Sequence, residues 1–200
     1  MGIIKTALEI ALEKTESVKS DKSSIDQFEA KQRGKKLAND FLAGEADLAE
    51  GLKKIAAPLK ESLKQGIFDV LVSQITLPVG GSLSDGKDDG QKIEKVGKGL
   101  ADVIDNKKFA LLFQHLVQII SRYKQEVSQY EKAIRQQYAP KLRQKEEELS
   151  RRLGREIRID PLQDPEFVAL YSQHMNALKG NYEPVIQQAK EQIRLMFSEK

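Results

Sequence analysis

Apolar residues in the second half of this 200-residue chain recur at steps of three and four over an unusual distance. From Phe109 they run through Leu112, Leu116, Ile120, Tyr123, Val127, Tyr130, Ile134, Tyr138, Leu142, Leu149 and Leu153. That rhythm predicts one long amphipathic helix with a heptad-like seam, and Pro140 marks a site for a kink. Gly154 ends the pattern, and Asp160-Pro161 cannot continue it. Asp164-Pro165-Glu166 then starts a second helix, because Asp caps, Pro fits the first turn and Glu suits the positive end of the dipole. Its seam is Phe167, Tyr171, Met175, Leu178, Tyr182, Val185, Ala189, Ile193 and Met196, with Pro184 as a second kink site.

If the two helices fold back on each other, facing residues have position numbers that add to a constant. A constant of 316 sets Tyr123 against Ile193, Val127 against Ala189, Tyr130 against Ile186 and Ile134 against Tyr182. Its midpoint, residue 158, falls inside the turn. Arms of about 33 residues, at about 1.5 Å each, would be on the order of 50 Å long.

The first half reads as several shorter helices. Ile4, Ala7, Leu8, Ala11, Thr15 and Val18 share a face, and the polar run Ser20-Asp21-Lys22-Ser23-Ser24 is expected to break it. Ser24 and Gln27 suit a capping box for a second helix bearing Ile25, Phe28, Leu37 and Phe41. Gly34 inside it is either a weak point or a close helix–helix contact. Leu48, Leu52, Ile55, Leu59 and Leu63 continue to Ile67, Val70 and Leu71, with Pro58 dividing that run into two helices near Ala57. Residues 77–92 read as a Gly/Asp-rich loop, and Ile93, Val96, Leu100 and Val103 as a further helix.

The expected fold is therefore all-α. A short-helix bundle over residues 1–106 precedes a long antiparallel coiled-coil-like helical hairpin over 107–200, with its turn near 154–164.

Composition agrees with this: 40% of residues are hydrophobic, 32% are charged and Trp is absent. The net charge of +3, with signs interleaved, gives no global pull toward nucleic acid or anionic lipid. Without cysteine there is no disulfide, thiolate metal site or thiol nucleophile. The N-terminus lacks the unbroken apolar run of a secretory signal, and the richest stretch, 109–120, is interrupted by Gln114 and His115. A cytoplasmic location is expected.

Candidate chemistry is sparse. Gly81-Ser82-Leu83-Ser84-Asp85-Gly86-Lys87-Asp88 approaches a P-loop, but Asp88 stands where Ser or Thr would hold magnesium. Read as a calcium loop from Asp85, it puts Lys87 at a ligand position and Val96 in place of the bidentate acid. His115 and His174 fall on different arms, so no histidine-based metal or acid–base site is expected. Met1-Gly2 with Thr6 matches a myristoylation pattern, but no second anchor accompanies it.

One cluster carries a functional reading. Arg151, Arg152, Arg155 and Arg158 gather at the expected tip, with Arg143 and Lys145 just below and Ile157 and Ile159 between charged neighbours. Arginines on a projecting arm suit an acidic protein surface or a phosphate backbone. The competing reading is that they neutralise Glu146, Glu147, Glu148 and Glu156 and face solvent. A smaller group, Lys31, Arg33, Lys35 and Lys36, reads the same way.

The sequence thus points to a non-enzymatic protein–protein interaction module, an adaptor or scaffold that binds a protein or self-associates. A nucleic-acid- or ribosome-associated factor is the second reading, and an enzyme with a carboxylate site the third. No catalytic residue, cofactor, metal or small-molecule ligand is expected, and no membrane.

Overall fold

In the computed structural model, residues 7–78 and 88–199 are described, with side chains from residue 22 in the first stretch and residue 90 in the second. The near P-loop, the calcium-loop start and the myristoylation pattern lie wholly or largely outside them. The chain is all-α, with no strand among the described residues. The helices are α1 (Ala7–Ala43), α2 (Leu48–Lys53), α3 (Lys60–Ser73), α4 (Asp88–Val103), α5 (Phe109–Leu153) and α6 (Pro165–Ser198). Single 3-10 turns, Ala57–Leu59 and Pro161–Gln163, precede α3 and α6. Two compact units result: residues 1–74 with 94–105, and 75–93 with 106–200.

In the first unit, α1 is one 37-residue helix and passes straight through residues 20–24, where a break was expected. Those residues include neither Gly nor Pro. Ser, Asp and Lys in a helix interior each cost no more than about 0.7 kcal/mol relative to Ala, too little to stop a helix propagating from both sides. The capping box at Ser24 is unused. Ile25 and Phe28, read as apolar positions of the second helix, are 58% and 63% exposed.

Pro58 sits at the start of the 3-10 turn, where its missing N–H costs nothing. Asp47 caps α2 by accepting from the Glu50 N–H. The expected loop at 77–92 is overrun by α4, which begins at Asp88.

The crossing of α1 and α3 rests on two glycines. A Cβ on Gly34 would run into the backbone carbonyl of Leu63, and one on Gly66 into that of Lys31. The two helices touch backbone to backbone, and the Lys31–Asp69 ion pair at 2.8 Å closes the same crossing. Of the two readings of Gly34, the close contact holds. Ala38, Leu63, Ile67 and Leu71 are buried along the contact, and Val96, Leu100 and Val103 of α4 complete the core.

In the second unit, α5 and α6 pack in antiparallel orientation. Tyr123 meets Tyr182 edge-on at 5.2 Å, and Tyr138 meets Phe167 likewise at 5.4 Å. Both pairs add to 305, so the expected constant of 316 is wrong by 11. Tyr123 faces Tyr182 rather than Ile193, and Tyr130 and Val185, expected in the seam, are 45% and 39% exposed.

The reason lies in the period. Buried positions on α5 recur at intervals of 11: Phe109, Ile120 and Glu131; Leu116, Val127 and Tyr138; Tyr123 and Ile134. So do Phe167, Leu178 and Ala189, and Ile186 and Phe197, on α6. Eleven residues in three turns is about 3.67 per turn, close to the natural helix. The seam therefore carries an 11-residue repeat alongside seven-residue steps such as Phe113, Ile120, Val127 and Ile134. A register displaced by one period looks equally apolar.

Two outcomes are expected. Gly34→Ala and Gly66→Ala should each destabilise the protein by about 1–3 kcal/mol in thermal or urea melts, through overpacking. Gly180→Ala, which has open space around its Cβ inside α6, should stabilise by about 0.5–1 kcal/mol. Because the chain has no cysteine, introduced pairs report register directly. A short bis-maleimide should link Y123C to Y182C within one chain and fail to link Y123C to I193C, and the opposite pattern would restore the 316 register.

Candidate functional site

The end of the α5–α6 pair begins where α5 stops. Gly154 takes the left-handed conformation, φ 65°, that closes a helix C-terminus, and Arg151 and Arg152 sit in the last turn against the negative dipole end. The chain then runs back along α5. The Ile157 N–H donates to Ser150 Oγ at 3.0 Å, and the Ile159 N–H donates to Glu146 Oε1 at 2.8 Å. Two residues of the returning chain thus pass four residues of α5. Extended chain advances about 3.3 Å per residue against about 1.5 Å in a helix. This fast return brings α6 in beside Tyr138 and displaces the register from the symmetric one.

Asp160 caps the 3-10 turn through the Leu162 N–H, and Asp164 caps α6 through the Glu166 N–H. Asp164 is almost wholly buried, at 4% exposure. Its charge is met by Lys145, whose Nζ lies 2.7 Å from Asp164 Oδ2 and 2.7 Å from Glu166 Oε2. The Tyr138 hydroxyl donates to Asp164 Oδ2 at 3.0 Å or Glu166 Oε2 at 3.1 Å, and accepts from Lys145 at 3.2 Å. Lys141 adds a 2.9 Å contact to Glu166. Beneath this network, Ile134, Tyr138 and Phe167 form a buried cluster that Leu142, Leu162 and Met175 extend. Lys145 therefore does not belong to the solvent-facing basic cluster; it turns inward and fastens the start of α6 to α5.

Electrostatics follow from that geometry. Hydrogen bonds from Lys145, then Lys141 and Tyr138, pull the Glu166 carboxyl down from 4.5 to about 2. Lys145 likewise holds Asp164 below the usual carboxylate range. The two carboxylates hold the Lys145 ammonium above its ordinary value. Burial is the main reason that the Tyr138 phenol is raised.

The four arginines are exposed. Arg151 approaches Glu147 at 3.8 Å and Arg158 approaches Glu156 at 3.5 Å, exposed pairs of little strength. Arg152 and Arg155 make no ion pair among the described residues. Glu146 accepts the backbone of Ile159 instead of an arginine. Ile157 and Ile159 are half-buried, and an open recess of about 560 Å³ is lined by Arg143, Glu146, Glu147, Ser150, Glu156, Ile157 and Arg158. The structure thus brings Arg158 and Ile157 together around one recess and leaves Arg152 and Arg155 outside its lining.

Sequence reasoning missed the inward pairing of Lys145 with Asp164 and Glu166, and that of buried Glu131 with half-buried Arg135 at 3.1 Å. A usable signal existed: Lys145 and Glu131 both fall at seam phase in the 11-residue count, where a charge needs a buried partner. His115 and His174 are exposed. Among the described residues, no group of three or more His, Asp or Glu side chains is placed to hold a metal ion, and no helix is long and apolar enough to cross a membrane.

These features define an all-α chain whose second unit ends in a pinned, arginine-bearing turn. The model of a family of unknown function, DUF6657, matches residues 49–195, well over half of the chain, and the protein belongs to that family. No curated protein and no solved structure gives a significant match.

The lowered Asp164 and Glu166 groups stabilise the fold above the unfolded carboxylate range, a contribution lost as pH falls from about 4.5 toward 2. The raised Lys145 contributes below its ordinary 10.5, and that is lost as pH climbs past it. Lys145→Met should leave helicity nearly unchanged while amide exchange over 155–164, corrected for intrinsic rates, accelerates at neutral pH. The wild-type protein should show the same acceleration only as pH drops through the carboxylate window. Unchanged protection in the variant would remove Lys145 from this role.

Proposed function

We propose that this protein is a non-enzymatic interaction module, an adaptor or scaffold. Residues 107–200 act as its helical-hairpin arm and residues 1–106 as its body, and it grips a partner protein through the turn at the arm's end. One observation carries the reading: the turn is pinned to α5 by two backbone N–H hydrogen bonds and the Lys145 network. It presents Arg151, Arg152, Arg155 and Arg158 around half-buried Ile157 and Ile159. Leu153, 58% exposed, adds apolar surface beside them. Arginines and aliphatic side chains fixed in advance are what a protein interface uses, since little order remains to be created on binding.

Self-association through the same arm fits this reading, as does a cytoplasmic site of action. Nucleic acid is the second reading, supported by Arg152 and Arg155, which have no carboxylate partner among the described residues. The mixed lining of the tip recess, with Glu146, Glu147 and Glu156 beside Arg143 and Arg158, works against a phosphate backbone there.

Tagged full-length protein captured from native lysate, with and without nuclease and at two salt concentrations, separates these readings. The expected result is a protein partner that survives nuclease and is lost when all four tip arginines are changed to Ser with the circular dichroism unaltered. Capture that collapses with nuclease, and steeply with salt, would favour nucleic acid instead.

A further inference from the structure

The first unit carries a second recess, of about 360 Å³, between α1 and the segment running from α2 to α3. Its floor is apolar: Leu63 is buried, and Leu37 and Ile55 are half-buried. Gly51 belongs to the lining because a Cβ there would strike the Leu37 side chain, so α2 lies hard against α1. The rim is basic: Arg33 and Lys36 stand on α1, and Lys54 follows α2. Asp40 is the only acid in the lining.

The three cations are available. Arg33 lies 3.8 Å from Glu29 and Lys54 lies 3.6 Å from Glu50, both pairs of exposed side chains four residues apart. Pairs of that kind hold their partners weakly. Lys36 has no ion pair among the described residues. Solvent therefore meets an apolar trough edged by loosely held positive charge, and the solvated-face reading of Arg33 and Lys36 leaves the trough itself unexplained.

We propose that this groove is a docking site for a short acidic segment of a partner protein, with one or two apolar side chains set on Leu37, Ile55 and Leu63 and flanking carboxylates on Arg33, Lys36 and Lys54. Charge complementarity selects this occupant. A nucleic-acid backbone would satisfy the rim but leave the apolar floor wet and bring phosphate against Asp40. An acyl chain needs an enclosed slot, whereas Leu37 and Ile55 stay partly open to solvent. A peptide fills the floor, pairs with the rim, and has N–H groups that Asp40 can accept. The groove is built from the first unit alone, so it neither requires nor excludes a role for the arginine-bearing turn.

The test uses full-length protein and a fluorescein-labelled degenerate nonapeptide pool, with Asp or Glu at the outer positions and Leu, Ile or Phe at two central ones. Anisotropy should show saturable binding that weakens about tenfold or more in K36E/K54E, where like charges now face each other. Those two side chains are exposed, so that variant should keep its melting temperature. Ile55→Gln should weaken binding as well while leaving the ionic-strength dependence in place. A second pool, with Gly and Ser at the central positions, should bind at least several-fold more weakly, because apolar burial supplies part of the affinity.

The inference is overturned by any of these results: no binding of the acidic–apolar pool; equal binding by K36E/K54E; equal binding of the pool lacking apolar residues; or self-association of the unmodified chain that K36E/K54E abolishes, which would make a second copy the occupant. Binding of an oligonucleotide or of anionic vesicles in place of the peptide pool overturns it too.

Discussion

Apolar contacts alone leave the pairing of α5 and α6 undetermined, because their seams repeat every 11 residues and one such step re-creates nearly the same greasy match. What breaks the degeneracy is charge. Lys145 stands at a seam phase where an apolar residue would otherwise be expected, and it is satisfied only when Asp164 and Glu166 arrive beside it. In the register displaced by 11, Lys145 would face residues near Tyr171 and lose both carboxylates, and Asp164 would lie opposite Arg152 instead. Removing one partner of such a pair costs far more than the intact pair contributes, so the network acts by excluding alternatives more than by adding stability. Glu131, by contrast, is paired with Arg135 one turn along the same helix and keeps that cation in either register.

This explains what could be read from the sequence and what could not. Local chemistry was legible: Gly154 at the end of α5, Asp164-Pro165-Glu166 at the start of α6, and Pro58 at a helix start are each dictated by backbone geometry within a few residues. The seams were legible as stripes. Their alignment was not, since a period-11 pattern matches itself at 305 and at 316. Neither the Lys145 network nor the fast extended return of residues 154–160 that accompanies it is encoded in an apolar periodicity. In the first half the opposite error occurred: polar residues 20–24 were read as a break, although without Gly, Pro or a forced change of direction a helix tolerates them. Gly34 offered two readings, and only the reciprocal approach of Gly66 on α3 decides between them.

The two candidate surfaces share a logic, though they are built differently. In the first unit, backbone contact at Gly34 and Gly66 fixes α1 on α3, and the tight seating of α2 at Gly51 shapes a trough whose walls cannot easily relax. Small residues there serve shape, and the cations around them are exposed. In the second unit it is polar pinning that fixes shape: Ser150, Glu146 and Lys145 hold a segment of irregular chain with no apolar core of its own.

A turn of eleven residues joining two helices would ordinarily be among the softest parts of a fold, with backbone groups satisfied only by water. Here two of its N–H groups are bonded to side chains of α5, two aspartates cap the structures that follow, and the carboxylate that starts α6 is neutralised by a lysine from the opposite helix. Each is a cost in side-chain entropy that stability alone does not demand, since α5 and α6 already bury a continuous seam below. A turn free of function would be expected to shorten or loosen. One whose side chains must meet a partner in a fixed arrangement gains by being ordered beforehand, because the entropy is lost on folding rather than on binding. The position of the pinning network, between the apolar seam and the arginines, is where such pre-ordering has the most effect.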